Sequence, residues 1–446
     1  MCGDMGSDTI FALASAPGAA GVSVLRVSGP LALQGFQALS KKGDITPRQV
    51  VYTVLKDPEN DQLIDQAVAT YFKAPYSYTG EDVIEYTVHG SPAVVQKMID
   101  VLSDMSGYRM ADPGEFTKRA FLNEKLDLTA AEAVHDLIQA ETEAQRMLAL
   151  DQLGGSLETL YHDWAGNLSK LLAHQEAEIE FPDEDMPDGV DDAVIEKIHV
   201  LMADMSTHLD DQNRGERMRQ GMQIAIIGAP NVGKSSLLNI LARREVAIVS
   251  DLAGTTRDIV DVSLNLGGYP VVISDTAGIR NDHSDKVEAE GIRRAIQKAE
   301  EADLKIILLD ATTMQDGDGV SNTMADQDSL VVINKIDQME NFDKDNDRFY
   351  VSCETQEGVD TLVGALSNKV KAFFDKGGHQ PVLTRARHRA HIQDSYQYLE
   401  RALSADLPEL AAEDLRQALQ ALGRITGRVD VEQLLDIVFK DFCIGK

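Results

Sequence analysis

From Met222 to Ser236 the chain reads MQIAIIGAPNVGKSS, and the residue types in this stretch are those of a phosphate cradle. An apolar run, Ile224 to Ile227, reads as a buried strand. Gly228, Gly233, Lys234 and Ser235 then complete G-x-x-x-x-G-K-S ahead of an apolar helix start at Leu237 and Leu238. A loop without Cβ atoms at its tight positions aims backbone N–H groups at a triphosphate. Lys234 neutralises its charge and Ser235 ligates Mg²⁺, with Asn231, Val232 and Ser236 as the remaining loop contacts.

Four further segments follow in the order a guanine-nucleotide switch requires. Ser250, Asp251, Leu252 and Ala253 lead into Gly254-Thr255-Thr256, which supplies a threonine hydroxyl, assigned to Thr256, as second protein ligand to Mg²⁺. Asp275-Thr276-Ala277-Gly278 ends a strand, bringing a carboxylate near the metal and a glycine N–H near the γ-phosphate. Asn334-Lys335-Ile336-Asp337 selects guanine, because the Asp337 carboxylate accepts from N1–H and the 2-amino group, which adenine cannot offer. Ser352-Cys353-Glu354 closes the base pocket.

Ile279 stands where Ras-like enzymes place a water-orienting Gln, so another element must stabilise the transition state. Asn231, Ser250, the Leu252 carbonyl and Thr255 can form an oxygen cage for a monovalent cation, in place of an arginine finger. Asn231 as a plain turn former is the competing reading. For orienting water, Glu288 is the candidate and Glu290 the rival.

The elements that must position these groups fall into a pattern. Short apolar runs at 10–13, 22–27, 50–55, 67–72 and 83–88 read as strands of an N-terminal α+β unit, with a helix over 94–105. Thr129 with Glu132 suggests a capping box, and a second helix is expected over 157–179. The acidic run 176–192 reads as an exposed loop. Val194, Ile198, Leu201, Met205 and Leu209 then recur as one core-facing helix stripe. Residues 220–378 alternate strand and helix, which implies a mainly parallel, doubly wound sheet, and helical sequence resumes at 383. A helical domain interrupted by an inserted nucleotide-binding domain is the economical architecture.

With a net charge of −31 the chain is strongly acidic, which argues against unspecific polyanion binding and confines any nucleic-acid contact to local basic clusters. Arg385, Arg387, His388, Arg389, Arg424 and Arg428 are such cations, set against the reading that they balance acidic neighbours. Cys2, Cys353 and Cys443 are too scattered for a disulfide framework or metal spacing, which suits a reducing compartment. No apolar run approaches the ~18 residues that would span a bilayer, and a cytoplasmic protein is expected.

The whole chain resembles the MnmE (TrmE) family of bacterial tRNA-modification GTPases. The resemblance is carried by PGAAGVSVLRVSG from Pro17, YTGEDVIEY from Tyr78, His89-Gly90, PGEFTKRAFLNEKLDL from Pro113, GAPNVGKSS, GTTRD, DTAG, VEAEGI from Val287, LTRARHR from Leu383 and the terminal CIGK. It implies a multidomain α+β and α/β fold. An N-terminal α+β folate-binding and dimerisation domain would span 1–119, a discontinuous helical domain 120–219 and 379–446, and an inserted Ras-like P-loop G domain 220–378. It also implies GTP hydrolysis coupled to modification of wobble uridine in certain tRNAs. The family works as a homodimer, in a heterotetramer with an FAD-dependent partner, MnmG (GidA). Its cofactors are Mg²⁺, K⁺ and 5,10-methylenetetrahydrofolate or a 5-formyl analogue.

By motif match Arg26, Glu85, Lys125 and Lys446 would hold the folate, cations pairing with its glutamate carboxylates and a carboxylate with pterin N–H groups. Asn231, Ser250, Leu252 and Thr255 would hold K⁺ between paired G domains, and Glu288 would be catalytic. Cys443 would be a catalytic cysteine beside the folate, set against the reading of a lone, inert thiol. The sequence departs from the family pattern at Ala19, Glu124 and Cys353, and by one extra residue between Gly278 and Val287. The alternative is a ribosome-assembly GTPase without tRNA-modifying activity.

Overall fold

The alternating runs of the N-terminal region form β1 (Thr9–Leu13), β2 (Val22–Ser28), β3 (Val50–Lys56), β4 (Leu63–Phe72) and β5 (Val83–His89). A sixth strand, β6 (Tyr108–Met110), is too short for its alternation to be read from sequence. The computed structural model describes residues 8–180, 190–244, 261–275, 300–313, 328–339, 345, 347–376, 381–429, 435, 438–440 and 442–445. These six strands make one sheet in the order β3-β4-β5-β2-β1-β6, antiparallel except for β1 with β6. On one face, α1 (Ala32–Ser40) and α2 (Pro92–Asp104) bury Phe11, Leu25, Phe36, Tyr86, Met98 and Leu102. Toward β1 the other face is covered by α3 (Glu115–Leu122), whose Phe116 packs with Ile10, Ala12 and Ala111.

Helices then take over: α4 (Leu128–Gln139), α5 (Glu143–Leu153), α6 (Ser156–Glu180), α7 (Val190–Leu209) and α8 (Arg214–Gln220). Two expectations are corrected here. Thr129 does not cap α4; Asp127 does, its carboxylate accepting from the Ala130 N–H at 2.7 Å and from the Thr129 hydroxyl at 2.8 Å. An ionised carboxylate is the stronger acceptor for an orphan N–H at a helix start. The acidic run is not all loop, since α6 continues to Glu180 and α7 begins at Val190. On α7 the buried stripe passes through Ile198, Leu201 and Met205 to His208, with Leu209 only half-buried.

The second sheet runs β12-β11-β10-β7-β9-β8, built from β7 (Met222–Ile227), β8 (Asp261–Leu266), β9 (Tyr269–Asp275), β10 (Leu304–Asp310), β11 (Ser329–Asn334) and β12 (Arg348–Tyr350). All neighbours are parallel except β8 with β9. Its core gathers Ile224, Ile226, Leu237, Ile306, Leu308 and Val332 with Leu362 and Leu366. The helices here are α9 (Lys234–Arg244) and α10 (Val359–Asp375), followed by α11 (Ala386–Leu403) and α12 (Pro408–Thr426).

By contact the chain divides into two units. One comprises Met1–His135, Leu153–Ala165 and Gln420–Lys446, the other Asp136–Gln152 and Gly166–Leu419. Among the described residues no helix is long and apolar enough to cross a membrane.

Candidate functional site

In the second unit the phosphate loop runs from the end of β7 into α9. A Cβ at Gly228 would lie 2.3 Å from the Leu308 carbonyl oxygen, and one at Gly233, whose φ is +104°, would lie 2.2 Å from Asn334 Nδ2. Only glycine lets the loop pass so close to its neighbours while its backbone turns. Asn231 adopts a left-handed φ of 65° on the exposed outside of the loop. Lys234 is buried at 6 % exposure, and its ammonium donates to the Gly228 and Ala229 carbonyls at 2.8 and 2.9 Å. Ser235 and Ser236 stand exposed in the first turn of α9, where the helix dipole favours an anion.

The base-selecting segments meet this loop at the ends of β11 and β12. Asn334, 2 % exposed, donates from Nδ2 to the Val232 carbonyl at 2.8 Å and accepts at Oδ1 from the Cys353 N–H at 3.0 Å. One amide thereby ties the phosphate loop to the base-closing loop. The Ser352 hydroxyl donates to Asp337 Oδ1 at 2.5 Å and aims that carboxylate. Lys335 pairs with Asp310, at the end of β10, at 2.6 Å. Burial works to raise the Asp310 carboxyl, but Lys335 and Thr312 outweigh it and hold it below the usual range. Asp310 was missed from sequence because a strand-end aspartate carries no spacing signal of its own. Burial pushes the Cys353 thiol up to about 11, so it is a neutral wall of the pocket.

Ser250, Asp251, Leu252, Ala253, Gly254, Thr255, Thr256, Thr276, Ala277, Gly278 and Glu288 lie outside the described residues, as does the side chain of Asp275. The residues expected to supply the second Mg²⁺ ligand, most of the cation cage and the water-orienting glutamate are among these. The residues that are described fit a nucleotide with its metal: a buried lysine, a glycine cradle and an exposed Ser235 at a helix start.

The first unit carries a separate constellation. Antiparallel register sets Arg26 of β2 against Glu85 of β5, and the guanidinium pairs with Glu85 Oε1 at 2.7 Å. Arg26 sits 5.3 Å from the centroid of Tyr78 and 5.6 Å from that of Phe116, two rings the motif reading had not used. Arg26 and Glu85 are therefore held side by side on one face of the sheet. Lys125 is exposed beyond α3, its N–H bonded to Ala120, and the preceding Glu124 holds φ 55°, a left-handed position that explains why glycine suits that place. Cys443 is exposed, and its carbonyl accepts from Gly114 N–H at 3.3 Å. A Cβ at Gly445 would lie 2.1 Å from the Leu13 carbonyl oxygen, so the tail lies against the end of β1. Lys446 is outside the described residues.

Of the two readings of the basic cluster, the balancing of acidic neighbours is met at Arg385 and Arg389. Arg385 pairs with Asp136 at 2.8 Å and Arg389 with Asp211 and Glu216, while His388 is 1 % exposed. The two arginine pairs tie these helices together. Arg428 is exposed and bonds His162 at 2.9 Å.

A parallel sheet with a phosphate loop between β7 and α9, tied through Asn334 to a guanine-selecting loop, defines a P-loop GTPase. Family models narrow the class. The MnmE helical domain matches residues 128–443 and the GTP-binding protein TrmE N-terminus matches residues 9–125. The chain belongs to the MnmE (TrmE) family. It is 48 % identical to the tRNA modification GTPase MnmE of Rhodospirillum rubrum, over 98 % of this chain and 99 % of that protein. The proteins of the same description from Parvibaculum lavamentivorans and Rickettsia bellii are 47 % and 45 % identical, each over 98 % of this chain and 100 % of their own length.

Proposed function

We propose that this GTPase acts in the cytoplasm as a homodimer with the FAD-dependent MnmG (GidA). Together they form the 5-aminomethyl or 5-carboxymethylaminomethyl group on the wobble uridine of certain tRNAs, taking a one-carbon unit from tetrahydrofolate. The observation that carries this reading is the correspondence of the entire chain, not the nucleotide core alone, with proteins described as tRNA modification GTPases. In this reading the chain is organised as a folate domain (1–119), a helical domain in two segments (120–219 and 379–446) and an inserted G domain (220–378).

In the nucleotide site, Lys234 and the first-turn N–H groups of α9 hold the phosphates and Asp337 reads guanine. Ser235 and Thr256 would hold Mg²⁺, and Asn231, Ser250, Thr255 and the Leu252 carbonyl would hold K⁺. These ions, when bound, offset charge that develops on the phosphates. Glu288 orients the water. In the N-terminal unit Arg26, a cation expected to meet the glutamate carboxylates, is paired with Glu85 instead, and the pair offers a planar donor beside an acceptor, which matches the edge of a pterin. Cys443 and Lys446 lie in the tail that reaches the same domain.

Two measurements test the proposal. Mass spectrometry of wobble uridine in tRNA from a strain lacking this protein should show the modification gone, and an unchanged complement would refute the assignment. GTP turnover should be faster in K⁺ than in Na⁺; equal rates would remove the cation mechanism.

A further inference from the structure

The sheet face turned away from α1 and α2 is closed at one end of β2 and β5 and open at the other. Side chains alternate along a strand, so Ser28, Arg26 and Val22 of β2 share that face with Val83, Glu85 and His89 of β5. At the closed end Ser28 is fully buried, its hydroxyl bonded to Thr79 and Glu81, and Val83 is 1 % exposed. At the open end Val22 is 60 % exposed and the His89 side chain 70 %. Along these two strands, a ligand whose head meets the Arg26–Glu85 pair has one direction in which to lie: over the half-buried Val24 and Thr87, toward His89.

His89 is not a loose surface imidazole. The Asp65 carboxylate, with a side chain only 10 % exposed, accepts from the His89 backbone N–H and from its ring Nδ1, each at 2.8 Å. The Gln66 N–H donates to the same carboxylate at 2.8 Å. An ionised carboxylate only accepts, so Nδ1 carries a hydrogen and Nε2 is the nitrogen left to meet a ligand. The next residue fixes the strand end, because a Cβ at Gly90 would lie 2.5 Å from the Ala20 carbonyl oxygen. Asp65 from β4 is the charged group on His89 among the described contacts; β2 brings Val22 alongside it. Four residues of strand separate Glu85 from His89, about 13 Å. That is comparable to the reach of a folate from pterin across the aminobenzoyl ring to its glutamate.

Resting on the folate reading above, we propose that His89, positioned by Asp65, binds the glutamate end of the folate. The imidazolium Nε2–H donates to a ligand carboxylate, while Arg26 and Glu85 take the pterin edge.

The test uses the full chain and calorimetric titration. The probes are 5-formyltetrahydrofolate and 5-formyltetrahydropteroate, which lacks the glutamate. In the wild type, the folate should bind more tightly than the pteroate. His89→Gln should lose about tenfold in folate affinity, the scale of one charge-assisted hydrogen bond at a partly exposed site. Pteroate affinity should be unchanged. Asp65→Asn, which frees the ring, should weaken folate and spare pteroate in the same sense. Equal folate affinity in wild type and His89→Gln would overturn this inference and leave the folate reading standing. A wild type that binds neither probe would refute the folate reading and this inference with it.

Discussion

The nucleotide site and the outer face of the N-terminal sheet are built by opposite means. In the parallel sheet, strand ends converge, and each end delivers a short contiguous segment: the phosphate loop after β7, Asn334 to Asp337 after β11, Ser352 and Cys353 after β12. In the antiparallel sheet the groups lie on a face, one from every second residue, and partners such as Arg26 and Glu85 are 59 positions apart in sequence. A loop-end site concentrates its information in motifs, whereas a face site spreads it over register. The first tolerates little change at single positions, and the second should decline by steps as separate contacts are removed.

The largest effect that would sharpen this contrast is Gly233→Val. A side chain at φ +104°, directed 2.2 Å from Asn334, should lower nucleotide affinity about 100-fold or more, read by fluorescent GDP binding. Near-normal affinity would show the loop end to be as forgiving as a sheet face. Next is Asn334→Ala, which strips partners from the Val232 carbonyl and the Cys353 N–H. At about 1 to 3 kcal/mol for a buried group left unpaired, affinity should fall roughly 10- to 100-fold.

Acid should separate the units as well. Burial pushes His208 down to about 4, below its ordinary 6.5, so the folded state binds fewer protons than the unfolded state between those values. The stability this gives is complete above pH 6.5 and is lost as pH falls, about 2 kcal/mol by pH 5. In the N-terminal unit Asp8 and Glu115 are held below the usual carboxylate range against the pull of burial, chiefly by Arg109. Their contribution persists above the unfolded carboxylate pKa and is lost only as pH drops through their folded values. Hydrogen exchange at pH 7 and pH 5 should therefore show α7 losing protection before β1 and β2 do. Equal loss would mean that His208 does not govern acid stability.

The smallest effect expected is Cys353→Ala. The site uses the backbone N–H of residue 353, and a thiol at about 11 is neutral at physiological pH. GTP affinity should change less than twofold, about 0.4 kcal/mol, and alkylation at pH 7.5 should be slow. A large loss would show that side chains at loop ends matter beyond the motif positions.

The amino-acid sequence by itself determined the phosphate loop, the segment from Asn334 to Asp337 after its strand and the five long strands of the N-terminal region. In each, the physical requirement is local: a turn without Cβ atoms, a carboxylate after a strand, an apolar alternation of period two. Only the tertiary structure decided that Asn334 bridges two loops, that Asp127 rather than Thr129 caps α4, and that Arg385 and Arg389 are committed to Asp136, Asp211 and Glu216. It likewise decided that Arg26 shares Glu85 between two aromatic rings and that Asp65 orients His89. Those outcomes depend on which residues register and packing bring within hydrogen-bonding distance, and distance through space is not a function of spacing along the chain.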